Sequence, residues 1–128
     1  MGPIRRPART AVMPDLPSRR VTTPIDQALL SDITRRIVER FHPRRVLLFG
    51  SHARGTAHPD SDVDLFIEME SSKSPPERAI DIDALFGLRT WPMDLVVLTP
   101  DEVLRLRRRK GTILQEIEAE GRVLYERA

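Results

Sequence analysis

The chain has 128 residues, of which 40% are hydrophobic and 31% are charged, and its formal net charge is only +2. This length and composition fit one domain with one core, and the balanced charge argues against a protein that coats nucleic acid through a strong basic excess. The absence of cysteine excludes disulfide scaffolds, cysteine-based zinc sites and thiol nucleophiles. No apolar run is long enough for a transmembrane helix and no secretory signal is evident, so we expect a cytoplasmic protein without membrane contact.

Residues 1–24 differ from the rest of the chain in charge and composition. They contain five arginines, one aspartate and five of the eleven prolines, and they show no apolar periodicity. Such a segment buries too little apolar surface to offset its ordering entropy. We therefore predict a flexible basic arm over 1–24 and a folded domain over 25–128. The alternatives are a basic arm that docks on a partner or on RNA, and a translation start at Met13.

Three predicted helix starts consist of a hydroxyl residue followed by proline. In each of them, an acid stands two residues after this proline. These starts are Thr23-Pro24, Ser74-Pro75 and Thr99-Pro100. The hydroxyl caps the helix, proline presets the first helical φ, and the acid faces the positive end of the helix dipole. The resulting helices are predicted over about 24–41, 75–88 and 100–109. A further short helix is predicted to start at Thr112 and to end at Gly121.

Short apolar runs between these helices predict four strands. The predicted strands are 45–49, 63–69, 93–98 and 122–125. Strands that alternate with helices are typical of an α/β sandwich, in which helices cover at least one face of the sheet.

The stretch from Gly50 to Leu65 carries the strongest chemical signal. It begins where the first strand ends and where a short helix can start. Gly50 lets a phosphate approach the backbone, and Ser51 can cap the turn or donate its hydroxyl to an anion. A glycine-serine turn alone is weak support for a site, because such turns are usually structural.

Three aspartates strengthen this signal. Asp62 and Asp64 occupy alternate positions at the start of the second strand, so their side chains leave one face about 6.5–7 Å apart. Hard oxygen ligands in this arrangement suit Mg²⁺, which prefers one or two carboxylates together with phosphate oxygens and water. Asp94 lies in an otherwise apolar strand, where an acid is costly unless it is paired or bound to metal. If the two strands are neighbours, three carboxylates meet at one edge of the sheet, which supports two-metal phosphoryl transfer.

Residues 50–65 and the later strand aspartate together resemble the nucleotidyltransferase superfamily related to DNA polymerase beta. The motif residues are Gly50-Ser51, Arg54-Gly55 and Ser61-Asp62-x-Asp64-Leu65. The short chain is similar to the minimal nucleotidyltransferase (MNT) branch, the antitoxin half of HEPN–MNT toxin–antitoxin pairs, over about 25–128. The resemblance implies a mixed sheet of about four strands flanked by helices, with transfer of AMP from ATP to a hydroxyl in the presence of two Mg²⁺ ions.

The resemblance also implies a role for each motif residue. The implied nucleotide-binding residues are Gly50, Ser51, Arg54 and Ser61, and the implied catalytic and metal-binding residues are Asp62, Asp64 and Asp94. Arg54 could instead pair with Asp60. His52 and His58 occupy variable positions of the motif, and without a His-x-x-His spacing we do not predict a zinc site.

The leading hypothesis is a protein adenylyltransferase that modifies a tyrosine of a HEPN-type toxin and forms a hetero-oligomer with it. One alternative is a non-catalytic antitoxin that neutralises the HEPN ribonuclease by binding. Another is a small-molecule nucleotidyltransferase, although its substrate domain would have to come from another chain. No direct contact with nucleic acid is expected. The basic run 105–110 is either a solvated helix end or a contact for an acidic partner or its RNA.

Overall fold

The computed structural model describes residues 24–128, so the predicted arm over 1–24 lies almost entirely outside the described residues. In this range the helices are α1 Gln27–Phe41, α2 Ser51–Arg54, α3 Pro75–Ala84, α4 Pro100–Arg107 and α5 Ile113–Glu120, and the strands are β1 Arg45–Phe49, β2 Val63–Glu68, β3 Met93–Leu98 and β4 Arg122–Glu126. None of the helices in this part of the chain is long and apolar enough to cross a membrane.

Hydroxyl residues cap the three C-terminal helices of the chain, as the sequence predicts. Ser74 and Thr99 each form a capping box with the glutamate three residues later. Thr112 accepts a hydrogen bond from the Gln115 backbone amide and caps α5. These side chains satisfy backbone N–H groups that have no partner within the helix.

The predicted start of the first helix is wrong. α1 begins at Gln27, and its cap is Asp26, whose carboxylate accepts from the Leu29 backbone amide at 2.9 Å. A carboxylate is as good an acceptor as a hydroxyl for these free amides, so the later acceptor sets the start. Helices α3 and α4 also end earlier than predicted, at Ala84 and Arg107.

The four strands form one mixed sheet in the order β3-β2-β1-β4. Strand β1 is antiparallel to both β2 and β4, whereas β2 and β3 are parallel. A parallel pair requires a crossover, and α3 supplies it between β2 and β3. The prediction of a mixed four-stranded sheet flanked by helices is confirmed.

Helices cover both faces of the sheet, and strand alternation divides the core accordingly. On one face, α1 and α3 pack against the alternate residues Val46, Leu48, Leu65, Ile67 and Val97. On the other face, which we call the α4/α5 face, Leu47 and Phe66 pack against Val103, Leu114 and Ile117. The chain therefore builds one sheet between two helical layers.

Strand register arranges the α4/α5 face in three rows that cross the sheet. The first row is Phe49, Asp64 and Asp94, the second is Leu47, Phe66 and Val96, and the third is Arg45, Glu68 and Leu98. The apolar second row lies in the core with α4 and α5. In the first row, Asp64 is half-buried and Asp94 is exposed. The two helices thus leave the acidic end of this face accessible.

Ion pairs connect the third row to both covering helices. Arg45 Nε donates to Glu68 Oε1 at 2.6 Å, and its Nη2 donates to Glu118 Oε2 of α5 at 2.6 Å. Glu118 also accepts from Arg107 of α4. The Glu68 side chain is only 7% exposed, so the neighbouring cations offset the cost of burying a carboxylate here.

We expect Arg45→Met to lower the free energy of unfolding by about 3 kcal/mol, because it leaves the buried Glu68 carboxylate without its closest cation. Urea unfolding at pH 7 measures this loss. Adding Glu68→Gln to the Arg45→Met variant should restore part of the stability, because a neutral amide needs no cation. Equal stability of the wild type and Arg45→Met would contradict the importance of this pair.

A buried arginine joins α3, β3 and α4. Arg78 donates to both Glu102 carboxylate oxygens, at 2.7 and 3.2 Å. It also donates to the backbone carbonyls of Lys73, at 2.8 Å, and Val97, at 3.1 Å. The hydrogen bond from Arg78 lowers the pKa of Glu102 below its usual value of 4.5.

This pKa shift predicts an acid-sensitive contribution to stability. Because Glu102 has a lower pKa in the folded state, its charge stabilises the fold above about pH 4.5, and the contribution is lost as the pH falls through the folded-state pKa. Glu102→Gln should therefore be less stable at pH 7 and lose less stability than the wild type between pH 5 and 3. Urea midpoints across this range measure both slopes, and parallel curves would contradict the prediction.

Candidate active site

The first row brings together two of the three acids that the sequence predicts to meet. Asp64 of β2 lies directly beside Asp94 in the register of the parallel β2–β3 pair. On its other side, Asp64 pairs with Phe49, the last residue of β1. Asp62 precedes β2 and is exposed. The second and third strands are therefore neighbours, as predicted, and Asp64 and Asp94 lie side by side at one end of the sheet.

Gly50 brings the backbone against one of these acids. Its φ is +73°, in the region that favours glycine, and a Cβ added here would lie 2.1 Å from Asp64 Oδ2. The sequence predicts that glycine leaves space for a phosphate. In the structure, the Asp64 carboxylate lies in this space, close to the Gly50 Cα.

The site concentrates negative charge around Asp64. Burial raises the pKa of Asp64, and repulsion from Asp94 and then from Asp62 raises it further. His52 and Arg54 act in the opposite direction and favour the charged carboxylate. A cation placed among the three acids would relieve this repulsion.

The donor set fits Mg²⁺ that is shared with a phosphate ligand. Within residues 24–128, no three acidic or histidine side chains come close enough together to hold a metal ion by themselves. Mg²⁺ does not need such a cage, because it usually takes one or two carboxylates and fills its octahedron with phosphate oxygens and water. Asp64, flanked by Asp94 and Asp62, offers such a set at an accessible end of the sheet.

Two contacts fix the backbone on either side of Asp62. His52 Nε2 lies 3.2 Å from the Ser61 carbonyl oxygen and donates to it in the tautomer that carries the proton on Nε2. The Val63 backbone amide donates to the Pro92 carbonyl at 2.9 Å. The Ser61 hydroxyl itself accepts from a backbone amide of the same loop, at 2.7 Å. His52 therefore holds the loop that carries Asp62, a role that sequence analysis missed.

Arg54 lies in α2 and pairs with a residue far along the chain. Its Nη1 donates to Glu120 Oε1 of α5 at 3.0 Å. The sequence suggests a triphosphate or Asp60 as the partner of Arg54, and Glu120 is neither. Both side chains of the Arg54–Glu120 pair are substantially exposed, and such pairs contribute about 1 kcal/mol or less. Arg54 can therefore leave Glu120 for a phosphate at little cost.

Charged residues of α3 and of the basic run 105–110 form ion pairs away from the first row. Asp81 pairs with Lys73, and Asp83 pairs with Arg89. In the basic run 105–110, Arg105 pairs with Asp101 and Arg107 with Glu118. These contacts are structural and add no residue to the candidate site.

Comparison with known proteins shows the family of this chain. A family model described as a nucleotidyltransferase domain matches residues 30–125, which include all three aspartates and the Gly50-Ser51 turn. The chain therefore belongs to the nucleotidyltransferase family. The protein adenylyltransferase MntA of Thermococcus cleftensis is 36% identical over 74 residues, which cover 56% of this chain and 72% of that protein. This similarity confirms the predicted resemblance to the MNT branch.

One of two similar solved structures shows the same fold. One, described as a nucleotidyltransferase from Sulfolobus solfataricus, has a TM-score of 0.55 and 21% identity, and the match covers 78% of this chain and 79% of that one. Another, described as a toxin–antitoxin with AMP-PNP, has a TM-score of 0.47 and 20% identity over 76% of this chain and 73% of that one. The second score is too low to support a conclusion.

Proposed function

We propose that this nucleotidyltransferase is a Mg²⁺-dependent protein adenylyltransferase of the cytoplasm. It transfers AMP from ATP to a tyrosine hydroxyl of a HEPN-type toxin and thereby acts as an antitoxin. The observation that carries the proposal is the first row, in which Asp64 and Asp94 are direct cross-strand neighbours beside the Gly50-Ser51 turn. Similarity to a protein adenylyltransferase supports a protein acceptor.

The reaction forms one bond to phosphorus and breaks another. The acceptor hydroxyl oxygen attacks the α-phosphorus of ATP, the bond between that phosphorus and the bridging oxygen breaks, and pyrophosphate leaves. Asp94 is the exposed acid of the first row, so its carboxylate takes the hydroxyl proton and passes it to solvent. Gly50, Ser51 and Arg54 hold the triphosphate, with Ser61 supporting the loop beside it.

Two Mg²⁺ ions, when bound, would activate the attacking oxygen and stabilise the charge on the leaving pyrophosphate. Asp62 and Asp64 would hold both ions, and Asp94 would hold the ion that activates the attacking oxygen. The chain itself contributes position: strand register fixes Asp64 beside Asp94, while His52 and the Pro92 carbonyl fix the backbone around Asp62. Catalysis would then depend mainly on positioning and charge stabilisation.

Co-expression tests this proposal. A small helical protein with an Arg-x4–6-His pattern, encoded beside this chain, should gain the mass of one or more adenylyl groups when both are expressed together. The Asp62→Asn/Asp64→Asn double variant should leave its mass unchanged. A partner of unchanged mass with the wild-type chain would contradict the proposal. If the double variant also protects cells as well as the wild type, neutralisation by binding alone would be favoured.

A further inference from the structure

Strand β3 is an edge strand of the sheet, and among the described residues no strand lies beside its outer edge. Hydrogen bonds at its two ends show which backbone groups face β2: the carbonyls of Pro92 and Leu98 accept from Val63 and Met69. Because backbone groups alternate along a strand, the N–H and C=O groups of Met93, Leu95 and Val97 face the outer edge.

The two halves of this outer edge differ. In the C-terminal half, the Val97 carbonyl accepts from the buried Arg78 guanidinium at 3.1 Å, and α3 begins beside it. In the N-terminal half, the outward groups of Met93 and Leu95 have no hydrogen-bond partner within residues 24–128. Proteins usually block open strand edges, because such edges recruit other strands. Here the open half is the one that carries Asp94.

We propose that the outer edge of β3 at Met93–Leu95 binds the acceptor polypeptide as an added β-strand. This inference rests on the proposed function, because it describes how a protein acceptor reaches the site. Backbone hydrogen bonds to Met93 and Leu95 would hold the segment, as in other cases of strand addition. The open length of the edge limits the added strand to a short one.

An added strand would extend the first row by one position. Adjacent strands are about 4.8 Å apart, and residues directly opposite each other project from the same face. An acceptor residue opposite Asp94 would therefore place its hydroxyl side chain beside that carboxylate, on the accessible α4/α5 face. Its neighbours in sequence would face the opposite side, against the half-buried Met93 and Leu95. The preferred acceptor segment is thus extended, apolar at alternate positions and free of acids beside its hydroxyl residue.

A synthetic peptide tests the docking mode. The probe is the end-capped peptide Lys-Val-Lys-Val-Tyr-Val-Lys-Val-Lys, whose single hydroxyl and lysines share one face and whose valines share the other. In one variant the two valines beside tyrosine carry N-methyl groups, and in a second variant the tyrosine and its two nearest lysines carry them. Either the valine amides or the tyrosine and lysine amides can face β3, but not both. N-methyl groups on the set that faces β3 remove its hydrogen bonds, so that variant should be labelled by ATP about tenfold less than the parent, and the other variant should match the parent.

Amide exchange measured by NMR gives a readout that does not depend on catalysis. Adding the parent peptide should slow exchange of the Leu95 amide, whereas the Asp94 amide already faces β2 and should not change. Leu95→Pro removes one outward donor and should raise the KM for the peptide about tenfold without changing the KM for ATP.

Strand docking is overturned if the peptide leaves Leu95 exchange unchanged, or if both N-methylated variants behave like the parent. Self-association of the chain with protection of Leu95 in the absence of peptide would instead assign this edge to a second copy and also overturn the proposal. Protection of Leu95 without labelling of any peptide or protein would support docking while contradicting the proposed adenylyl transfer. The two proposals can therefore fail separately.

Discussion

Gly50→Ala should reduce AMP transfer by about a hundredfold or more while leaving the chain folded. The added Cβ would lie 2.1 Å from Asp64 Oδ2 and 3.0 Å from its Cγ, so the carboxylate must move. Moving a reacting or metal-binding group by about 1 Å can cost about a hundredfold in rate. Transfer of label from ATP labelled at the α-phosphate to the co-expressed partner measures this loss, and circular dichroism reports the fold.

Gly55→Ala is the matched control for this substitution. Gly55 has a φ of +78°, close to that of Gly50, but no atom lies within 4 Å of its added Cβ. Gly55 has a ψ of 19°, in the left-handed helical region, so Gly55→Ala should lose about 1–2 kcal/mol of stability through backbone strain. Gly50 has a ψ of −156°, in a region that is essentially restricted to glycine, so Gly50→Ala should lose more stability, and only Gly50→Ala should lose activity. Equal activity of the two variants would show that the close approach of Asp64 to Gly50 has no functional importance.

Asp64→Asn should have opposite effects on activity and on stability. The amide cannot replace the carboxylate as a metal ligand, so AMP transfer should fall about a thousandfold. The folded state raises the pKa of Asp64 through burial and through repulsion from Asp94 and Asp62. Ionisation of this carboxyl therefore destabilises the fold as the pH rises above 3.8, the usual pKa of the group. Removing the charge should therefore raise the melting temperature at pH 7 in the presence of EDTA.

Addition of Mg²⁺ and a non-hydrolysable ATP analogue provides the control for this second prediction. The wild type should gain thermal stability, because a bound cation offsets the repulsion around Asp64, whereas Asp64→Asn should gain little. A variant that melts below the wild type in EDTA would contradict the electrostatic account of the site.

Much of the fold is predictable because its signals are local. Apolar runs give all four strands, and hydroxyl caps at Ser74, Thr99 and Thr112 give the starts of three helices. The position of Asp94 is predictable for a less local reason. A helix between two neighbouring strands favours a parallel crossover, and the register then places Asp94 beside Asp64.

The remaining contacts could not be predicted, because they depend on which distant surfaces meet. Arg54 pairs with Glu120, 66 residues away, and Arg45 pairs with Glu118, 73 residues away. No local pattern distinguishes these glutamates from others on the same helix. The His52 contact with the Ser61 carbonyl is closer in sequence, but a histidine that donates to a backbone carbonyl has no sequence signature.

The most direct test of the proposed catalytic centre is the activity of Asp94→Asn, because Asp94 of β3 lies directly beside Asp64 of β2. The substitution should reduce label transfer from ATP about a thousandfold, while Asp101→Asn, which neutralises an exposed acid of α4, should leave it unchanged. Thermal melting of both variants verifies that they are folded. Full transfer by a folded Asp94→Asn variant would contradict the assignment of the first row as the catalytic centre.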